Sequence, residues 1–147
     1  MNNLPSVKLT DIEMKYISLL ESITGTAVLD CIIDEPNNRV IFLVKKGQVG
    51  LAVGRNGTNI RRLRRLLGKD VEIVEYAETL EELVKNSLFP AKVLSIQVRT
   101  DFKGRKTVIA AVPANQKGIA IGKGGKNIAR AKLLAKRYFD VDNVIVQ

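Results

Sequence analysis

Two short glycine motifs in this sequence combine the residue types and the spacing that phosphate binding requires. Gly54-Arg55-Asn56-Gly57 and Gly122-Lys123-Gly124-Gly125 lie 68 residues apart, and each holds one cation between its glycines. Glycine lets the backbone turn sharply with uncovered N–H groups, and a helix that begins directly after the turn adds positive potential. A phosphate backbone can therefore approach closely at either motif.

The two motifs belong to a longer internal repeat. Residues 48–66 and 116–134 share nine identities in 19 positions, where unrelated sequences would share about one. An apolar stretch enters each motif, in LAVGRNGTNI and in IAIGKGGKNI. A bare G-x-x-G arises by chance about once in a chain of this glycine content, and Gly47–Gly50 is such a case. The evidence for a functional motif is therefore the repeated sequence around the glycines, and the glycines alone would not suffice.

Further cations follow each motif on a predicted helix. After the first motif an apolar stripe is predicted to face the core, and three arginines then lie on the opposite face. A lone basic helix is usually solvated surface, but beside a phosphate-binding loop its cations favour nucleic acid. The predicted core stripe is Ile60, Leu63, Leu66 and Leu67. The predicted nucleic-acid-binding residues are Gly54, Arg55, Asn56, Gly57, Arg61, Arg62, Gly122, Lys123, Gly124, Gly125, Lys126 and Arg130.

The net charge indicates a polyanionic partner. The chain carries 24 Lys and Arg against 15 Asp and Glu, a formal charge of +9, of which residues 78–147 contribute +7. Nucleic acid and an anionic membrane surface both suit such a charge. A membrane protein would need about 18 consecutive apolar residues or a basic amphipathic helix with exposed bulky side chains. The sequence has neither, so we expect a cytoplasmic protein with no membrane partner.

Residue usage argues against an enzyme or a metal site. The chain has no histidine, and Cys31 is its only cysteine, so the usual general base and the usual metal ligands are missing. Cys31 lies in an apolar segment and is predicted to be buried and inert. Two carboxylate pairs, Asp34-Glu35 and Asp140/Asp142, flank a predicted turn and a strand start, and we expect neither to bind a metal.

The second motif also fails as a nucleotide-binding phosphate loop. Gly-x4-Gly-Lys-Ser/Thr requires glycine where this chain has Lys117, and serine or threonine where it has Gly124. We therefore expect no catalysis, no cofactor and no small-molecule substrate.

The order of predicted elements divides the chain into two domains, residues 1–77 and 78–147. Each is predicted to be an α/β (α+β) unit of order αββααβ, a three-stranded sheet packed by helices, and a capping box at Thr10 or Thr79 opens its first helix. The predicted strands are Ala27–Asp34, Arg39–Val44, Val71–Tyr76, Lys92–Arg99, Thr107–Val112 and Asn143–Gln147. The predicted helices around the motifs are Gln48–Val53, Thr58–Leu67, Gln116–Ile121 and Lys126–Tyr138.

The aromatic residues are sparse and are predicted to lie mostly in the core. This argues against the aromatic stacking platforms on which some single-strand-binding domains rely. The seven residues are Tyr16, Phe42, Tyr76, Phe89, Phe102, Tyr138 and Phe139.

The motifs and their flanks resemble the core of the KH domain. Its V-x-G-x-x-G-x-x-I pattern is present at Val53–Ile60 and, with isoleucine in place of valine, at Ile121–Ile128. A helix and a hairpin precede each motif and one strand follows it, so the order is similar to that of the type II KH domain. Two such units with almost no linker resemble the archaeal NusA-type transcription termination/antitermination factors.

The resemblance implies both a ligand and a process. KH domains bind single-stranded RNA; the G-x-x-G loop clamps about four nucleotides of backbone, and an aliphatic groove accepts the bases. Family membership would further imply a role in transcription termination and elongation, with the transcription elongation complex as a partner. A ribosome-associated or ribosome-assembly KH protein would use the same module, and the sequence leaves that alternative open.

Overall fold

The described part of the chain consists of two compact units with the same order of elements. The computed structural model describes residues 8–147; one unit ends at Tyr76 and the other begins at Ala77. Each contains, in chain order, a helix, two strands, a short helix, a longer helix and a strand. The predicted α/β class, with two three-stranded sheets packed by helices, is confirmed.

The first unit packs its helices on a mixed three-stranded sheet. Strand β1 pairs antiparallel with the central strand β2, and β2 pairs parallel with β3. Helix α1 begins after the predicted capping box at Thr10 and ends at Gly25, whose φ is 70°. The elements are α1 Asp11–Thr24, β1 Val28–Asp34, β2 Arg39–Val44, α2 Val49–Val53, α3 Thr58–Leu67 and β3 Asp70–Glu75.

The second unit repeats this topology. β4 pairs antiparallel with the central strand β5, and β5 pairs parallel with β6. Thr79 Oγ1 accepts a hydrogen bond from Glu82 N and so caps the start of α4. Unlike α1, helix α4 has no glycine at its end and is followed by Phe89 and Pro90. The elements are α4 Leu80–Leu88, β4 Ser95–Thr100, β5 Lys106–Ala111, α5 Lys117–Ile121, α6 Lys126–Phe139 and β6 Asn143–Val146.

The core of the first unit fixes α3 against the sheet. Leu20 of α1, Phe42 of β2 and Leu63 of α3 are each fully buried in one cluster, which also contains Cys31. Full burial of a side chain such as leucine stabilises the fold by about 1.5–3 kcal/mol. The buried position predicted for Cys31 is confirmed. The core position predicted for Leu66 is wrong, because that side chain is 57% exposed.

The core of the second unit uses smaller side chains. Ala131 and Ala135 of α6 are fully buried and cluster with Val84 and Leu88 of α4. Ala131 occupies the repeat position of Leu63 in the first unit. An alanine at that position leaves room for α4 and α6 to approach each other closely.

A buried ion pair joins the three strands of the first sheet. Arg39 of β2 is fully buried; its Nε lies 2.7 Å from Asp34 Oδ2 on β1, and its Nη1 lies 3.1 Å from Glu72 Oε1 on β3. Removing one partner of such a pair typically costs about 3–5 kcal/mol, because the other charge is left uncompensated. The carboxylate of Asp34 thus stabilises the sheet through its ion pair with Arg39.

The second carboxylate pair also has a cationic partner. Lys136 Nζ lies 3.1 Å from Asp140 Oδ1 and 3.6 Å from Asp142 Oδ1. The hydrogen bond that Lys136 donates to Asp140, followed by the negative charges of the two carboxylates, raises the pKa of Lys136 above its ordinary value. These contacts lie at the C-terminal end of α6, where a cation is also favoured by the helix dipole.

The start of β4 and the burial of the aromatic residues also differ from the predictions, whereas the other predicted strands agree with the structure to within one residue at each end. β4 begins at Ser95 and not at Lys92, because the backbone N–H of Lys92 donates to the side chain of Gln116 instead of to a neighbouring strand. The prediction that aromatic residues lie mostly in the core fails for two of them, since Phe89 is 72% exposed and Phe102 is 92% exposed.

The helices are short. The longest, α1 and α6, have 14 residues each. Across residues 8–147, none is long and apolar enough to reach from one side of a membrane to the other.

Candidate nucleic-acid interface

Both glycine motifs form the same turn between two helices. The first lies between α2 and α3, and the second lies between α5 and α6. Their first glycines, Gly54 and Gly122, have φ/ψ angles of 81°/164° and 79°/166°. This backbone region is open essentially only to glycine. The similarity of the two copies therefore extends from sequence to backbone conformation.

The last two positions of each motif are left-handed. Asn56 and Gly124, at the third position, have φ angles of 57° and 64°, and Gly57 and Gly125, at the fourth, have 73° and 76°. Asparagine tolerates the left-handed region better than most other residues. The first copy can therefore keep the turn with asparagine where the second has glycine.

The turn leaves two backbone donors unused in each copy. Gly57 N donates to Gly54 O, and the second copy has the equivalent bond from Gly125. Between residues 8 and 147, no hydrogen bond uses the backbone N–H of the second and third motif residues, and all four of these residues are exposed. They are Arg55, Asn56, Lys123 and Gly124. Beside a helix N-terminus, such N–H groups are suited to donate to a phosphate oxygen.

An asparagine two positions after each motif fixes the turn. Asn59 Nδ2 donates to Leu51 O at 3.1 Å, and Asn127 Nδ2 donates to Ile119 O at 2.8 Å. Each bond ties the first turn of the helix after the motif to the helix before it. The sequence prediction gave these residues no role, although the asparagine is one of the nine identities of the repeat.

The same asparagines explain why the first motif position is glycine. A Cβ on Gly54 would lie 2.8 Å from Asn59 Cγ and 2.9 Å from Asn59 N, and a Cβ on Gly122 would meet Asn127 at the same two distances. A side chain there would thus collide with backbone as well as with the asparagine amide. In contrast, a Cβ on Gly118, inside α5, would meet nothing within 4 Å.

Cations surround the turn of the first unit. Arg55, Arg62 and Arg65 are exposed. Arg61 donates through Nη1 to the backbone carbonyl of Asn56, and this bond holds its guanidinium against the motif. The predicted basic residues of this unit therefore lie at or close to the turn and to the helix that follows it.

In the second unit, one of the residues that the sequence predicts to bind nucleic acid is buried. Lys123 is exposed and Lys126 is half-buried, but Arg130, the repeat counterpart of Arg62, is 8% exposed. Arg130 Nε donates to Ser87 O at 2.8 Å and its Nη2 donates to Phe89 O at 3.1 Å. The carbonyls at the C-terminal end of a helix lack intrahelical partners and attract a cation. Arg130 is therefore a helix-capping residue of α4, unlike the exposed cations beside the motif.

Exposed aliphatic side chains lie directly before each motif. Leu51 is 50% exposed, Ile119 is 45% exposed and Ile121 is 41% exposed, whereas the alanines of the same short helices, Ala52 and Ala120, are fully buried. Both turns are therefore preceded by exposed aliphatic surface.

We predict that alanine is tolerated inside the short helix but not at the first motif position. Gly122→Ala should lower the free energy of unfolding by about 1–3 kcal/mol, because it combines a strained φ with a collision. Gly118→Ala should leave stability unchanged or raise it by about 0.5–1 kcal/mol, since glycine is unfavourable in a helix. Urea denaturation followed by circular dichroism measures both, and Gly54→Ala and Gly50→Ala repeat the test in the first unit. Equal stability of the Gly122→Ala and Gly118→Ala variants would contradict this account of the turn.

Sequence and structure comparisons relate this chain to one family. Residues 80–146 match the family model of the NusA-like second KH domain, and residues 15–100 match that of the KH domain. The probable transcription termination protein NusA of Halococcus morrhuae is 36% identical over 94% of this chain and 96% of its own. The protein of that name from Methanocaldococcus jannaschii is 32% identical over 95% of this chain and 75% of its own. The crystal structure of APE1850 aligns with a TM-score of 0.85 and 47% identity, covering 95% of this chain and 100% of that one. The chain therefore belongs to the archaeal NusA-type family of KH-domain proteins.

Proposed function

We propose that the chain binds single-stranded RNA through its two G-x-x-G turns and acts in transcription termination or elongation. The observation that carries the proposal is the pair of turns with one backbone conformation, each with two unused N–H donors beside exposed cations. The relatives in Halococcus morrhuae and Methanocaldococcus jannaschii are named as probable transcription termination proteins. The chemistry of the turns supports the ligand, and the relatives support the process.

In this proposal the sugar-phosphate backbone of the RNA lies at each turn. The N–H groups of Arg55 and Asn56 donate to phosphate oxygens, and the guanidinium groups of Arg55 and Arg62 neutralise phosphates nearby. The bases contact the exposed side chain of Leu51 in the first unit and of Ile119 in the second. A single strand suits this surface, because its bases can be splayed out whereas those of a duplex are paired and stacked.

We infer that the chain acts by binding and not by catalysis. The groups exposed at the two turns are arginine, lysine, asparagine and glycine, which suit phosphate binding, and neither turn contains the serine, cysteine, histidine or carboxylate on which most nucleophilic or acid–base catalysis relies. Its partners in this proposal are single-stranded RNA and the transcription elongation complex.

Charge reversal at the turns should weaken RNA binding without unfolding the protein. We predict that Arg55→Asp/Asn56→Asp and Lys123→Asp/Gly124→Asp each lower affinity for a single-stranded RNA about tenfold or more at fixed salt, because carboxylates repel phosphates. Fluorescence anisotropy with labelled RNA measures the affinity. Aspartate is acceptable at position 124, since it tolerates a left-handed φ and a Cβ there meets nothing within 4 Å.

A variant with the same change in net charge at another place provides the control. Lys15→Asp/Ser18→Asp, on the exposed side of α1, removes the same amount of positive charge as either loop variant. This control variant should have a much higher affinity for RNA than either loop variant. If a folded variant with both turns reversed binds as tightly as the wild type, the turns are not the RNA site.

The two arginines at equivalent repeat positions should behave differently. We predict that Arg62→Ala flattens the slope of log affinity against log salt by about 0.7, the value for one phosphate contact on a single strand, with little change in stability. Arg130→Ala should instead lower the free energy of unfolding by about 1–3 kcal/mol, because the α4 carbonyls lose their donors. Anisotropy titrations at several salt concentrations, together with urea denaturation, separate the two effects. A shallower slope for folded Arg130→Ala would show that Arg130 contacts phosphate after all.

Crosslinking in cells tests the process in which the protein acts. We predict that RNA crosslinked to the wild-type protein is enriched in nascent transcripts near the ends of genes, and that the variant with both turns reversed loses this enrichment. Reads concentrated on ribosomal RNA would favour a ribosome-associated or ribosome-assembly protein and overturn the transcriptional proposal.

A further inference from the structure

The hairpin of the second sheet ends in an exposed aromatic residue. Phe102 lies two residues after the end of β4 and is 92% exposed, although a large aromatic side chain normally gains free energy by burial. Lys103 Nζ lies 5.7 Å from the centre of its ring, within the range of a cation–π contact. The tip of this hairpin thus presents an aromatic face and an ammonium group together.

The tip is held in place by its own hydrogen bonds. The Asp101 carboxylate accepts from Lys103 N at 2.9 Å, from Arg105 N at 2.9 Å and from Arg105 Nε at 2.8 Å. These donors, above all the backbone N–H of Arg105, keep the pKa of Asp101 below its ordinary value. Gly104, with a φ of 81°, completes the turn. The backbone that carries Phe102 is therefore tied to the Asp101 carboxylate on its C-terminal side.

The surroundings of Phe102 are cationic. Residues 99–106 contain four cations, Arg99, Lys103, Arg105 and Lys106, against the single carboxylate of Asp101, and all of them are exposed. One further carboxylate is near, since Asp142 Oδ2 accepts from the backbone N of Lys106. The net charge at the tip remains positive.

The other hairpin of the repeat lacks an exposed ring with exposed cations around it. Its turn, Glu35-Pro36-Asn37-Asn38, contains no cation and no aromatic residue. Arg39, which begins the following strand, is fully buried in its ion pair with Asp34. The basic aromatic tip is therefore particular to the second unit and is not required by the fold that the two units share.

We propose that the tip of the β4–β5 hairpin, with Phe102 as a stacking surface and Lys103, Arg105 and Arg99 as phosphate contacts, is a second binding site for single-stranded RNA. An exposed aromatic ring stacks on any base, and neighbouring cations hold the backbone; this pairing is typical of sequence-tolerant single-strand binding. The inference rests on the proposed function, because the RNA that reaches the tip is the one held by the turns.

A protein partner fits this tip less well. Protein interfaces centre on a contiguous patch of buried apolar residues, whereas the residues on either side of Phe102 are charged, polar or glycine. A positive tip with one ring instead complements a polyanion that carries flat bases. Fluorescence of a tryptophan placed at position 102 distinguishes RNA from an acidic protein as the partner.

Tryptophan at position 102 gives a direct readout. The chain contains no tryptophan, so the Phe102→Trp protein has a single indole, at the tip. We expect its emission to be quenched as RNA of about 20 nucleotides is added, because a base stacks on the ring. Emission that stays constant while anisotropy shows the same RNA fully bound would overturn the proposal and direct attention to a protein partner.

Affinity provides the second measurement. Phe102→Ala should weaken binding of RNA of about 20 nucleotides by roughly tenfold, the loss of one stacked base, and Phe102→Tyr should bind like the wild type. With RNA of about four nucleotides, the length that one turn clamps, Phe102→Ala should have no effect. Ile12→Ala, which removes a 54% exposed apolar side chain on α1, should have no effect at either length.

The outcomes distinguish the two proposals. If wild-type protein binds neither RNA, the proposed function itself fails. If the loop variants lose binding while Phe102→Ala binds the long RNA as the wild type does, the turns are the only RNA site of the two and the inference about the hairpin is wrong.

Discussion

The bond between an asparagine amide and a helix carbonyl determines the geometry of both candidate RNA sites. Asn59 and Asn127 each close the angle between a short helix and a longer one, and so place the N-terminus of the longer helix against the motif. The bond also brings the asparagine so close to the first glycine that no other residue fits there. The exposed N–H donors and the cations at the turn depend on this arrangement.

Internal duplication shows which features the turn requires and which are free to change. Both copies keep the glycines, the asparagine and the buried alanine of the short helix, and the turns have nearly the same dihedral angles. The arginine shared at positions 62 and 130 is conserved between the copies in type but not in role. One is exposed, and the other reaches the end of a neighbouring helix that lacks a terminal glycine.

Much of the fold was predictable, because residues close in sequence determine where most helices and strands begin and end. Helix α3 has the predicted bounds, Thr58–Leu67, since a glycine motif starts it and Gly68 ends it. The exposure of Leu66 and Phe102 and the burial of Arg130 were not predictable from the sequence, for one shared reason. Their environment depends on elements that are distant in sequence, or on the absence of such elements, and neither periodicity nor spacing reports what covers a side chain.

The cap that Arg130 places on α4 joins residues 43 positions apart, at Ser87 and Arg130. Helix α1, in contrast, ends on its own Gly25. During synthesis from the N-terminus, α1 can therefore satisfy its last carbonyls as soon as it leaves the ribosome. The carbonyl of Ser87 in α4 receives its donor only after Arg130 has been made, so α4 is expected to be completed later in synthesis than α1.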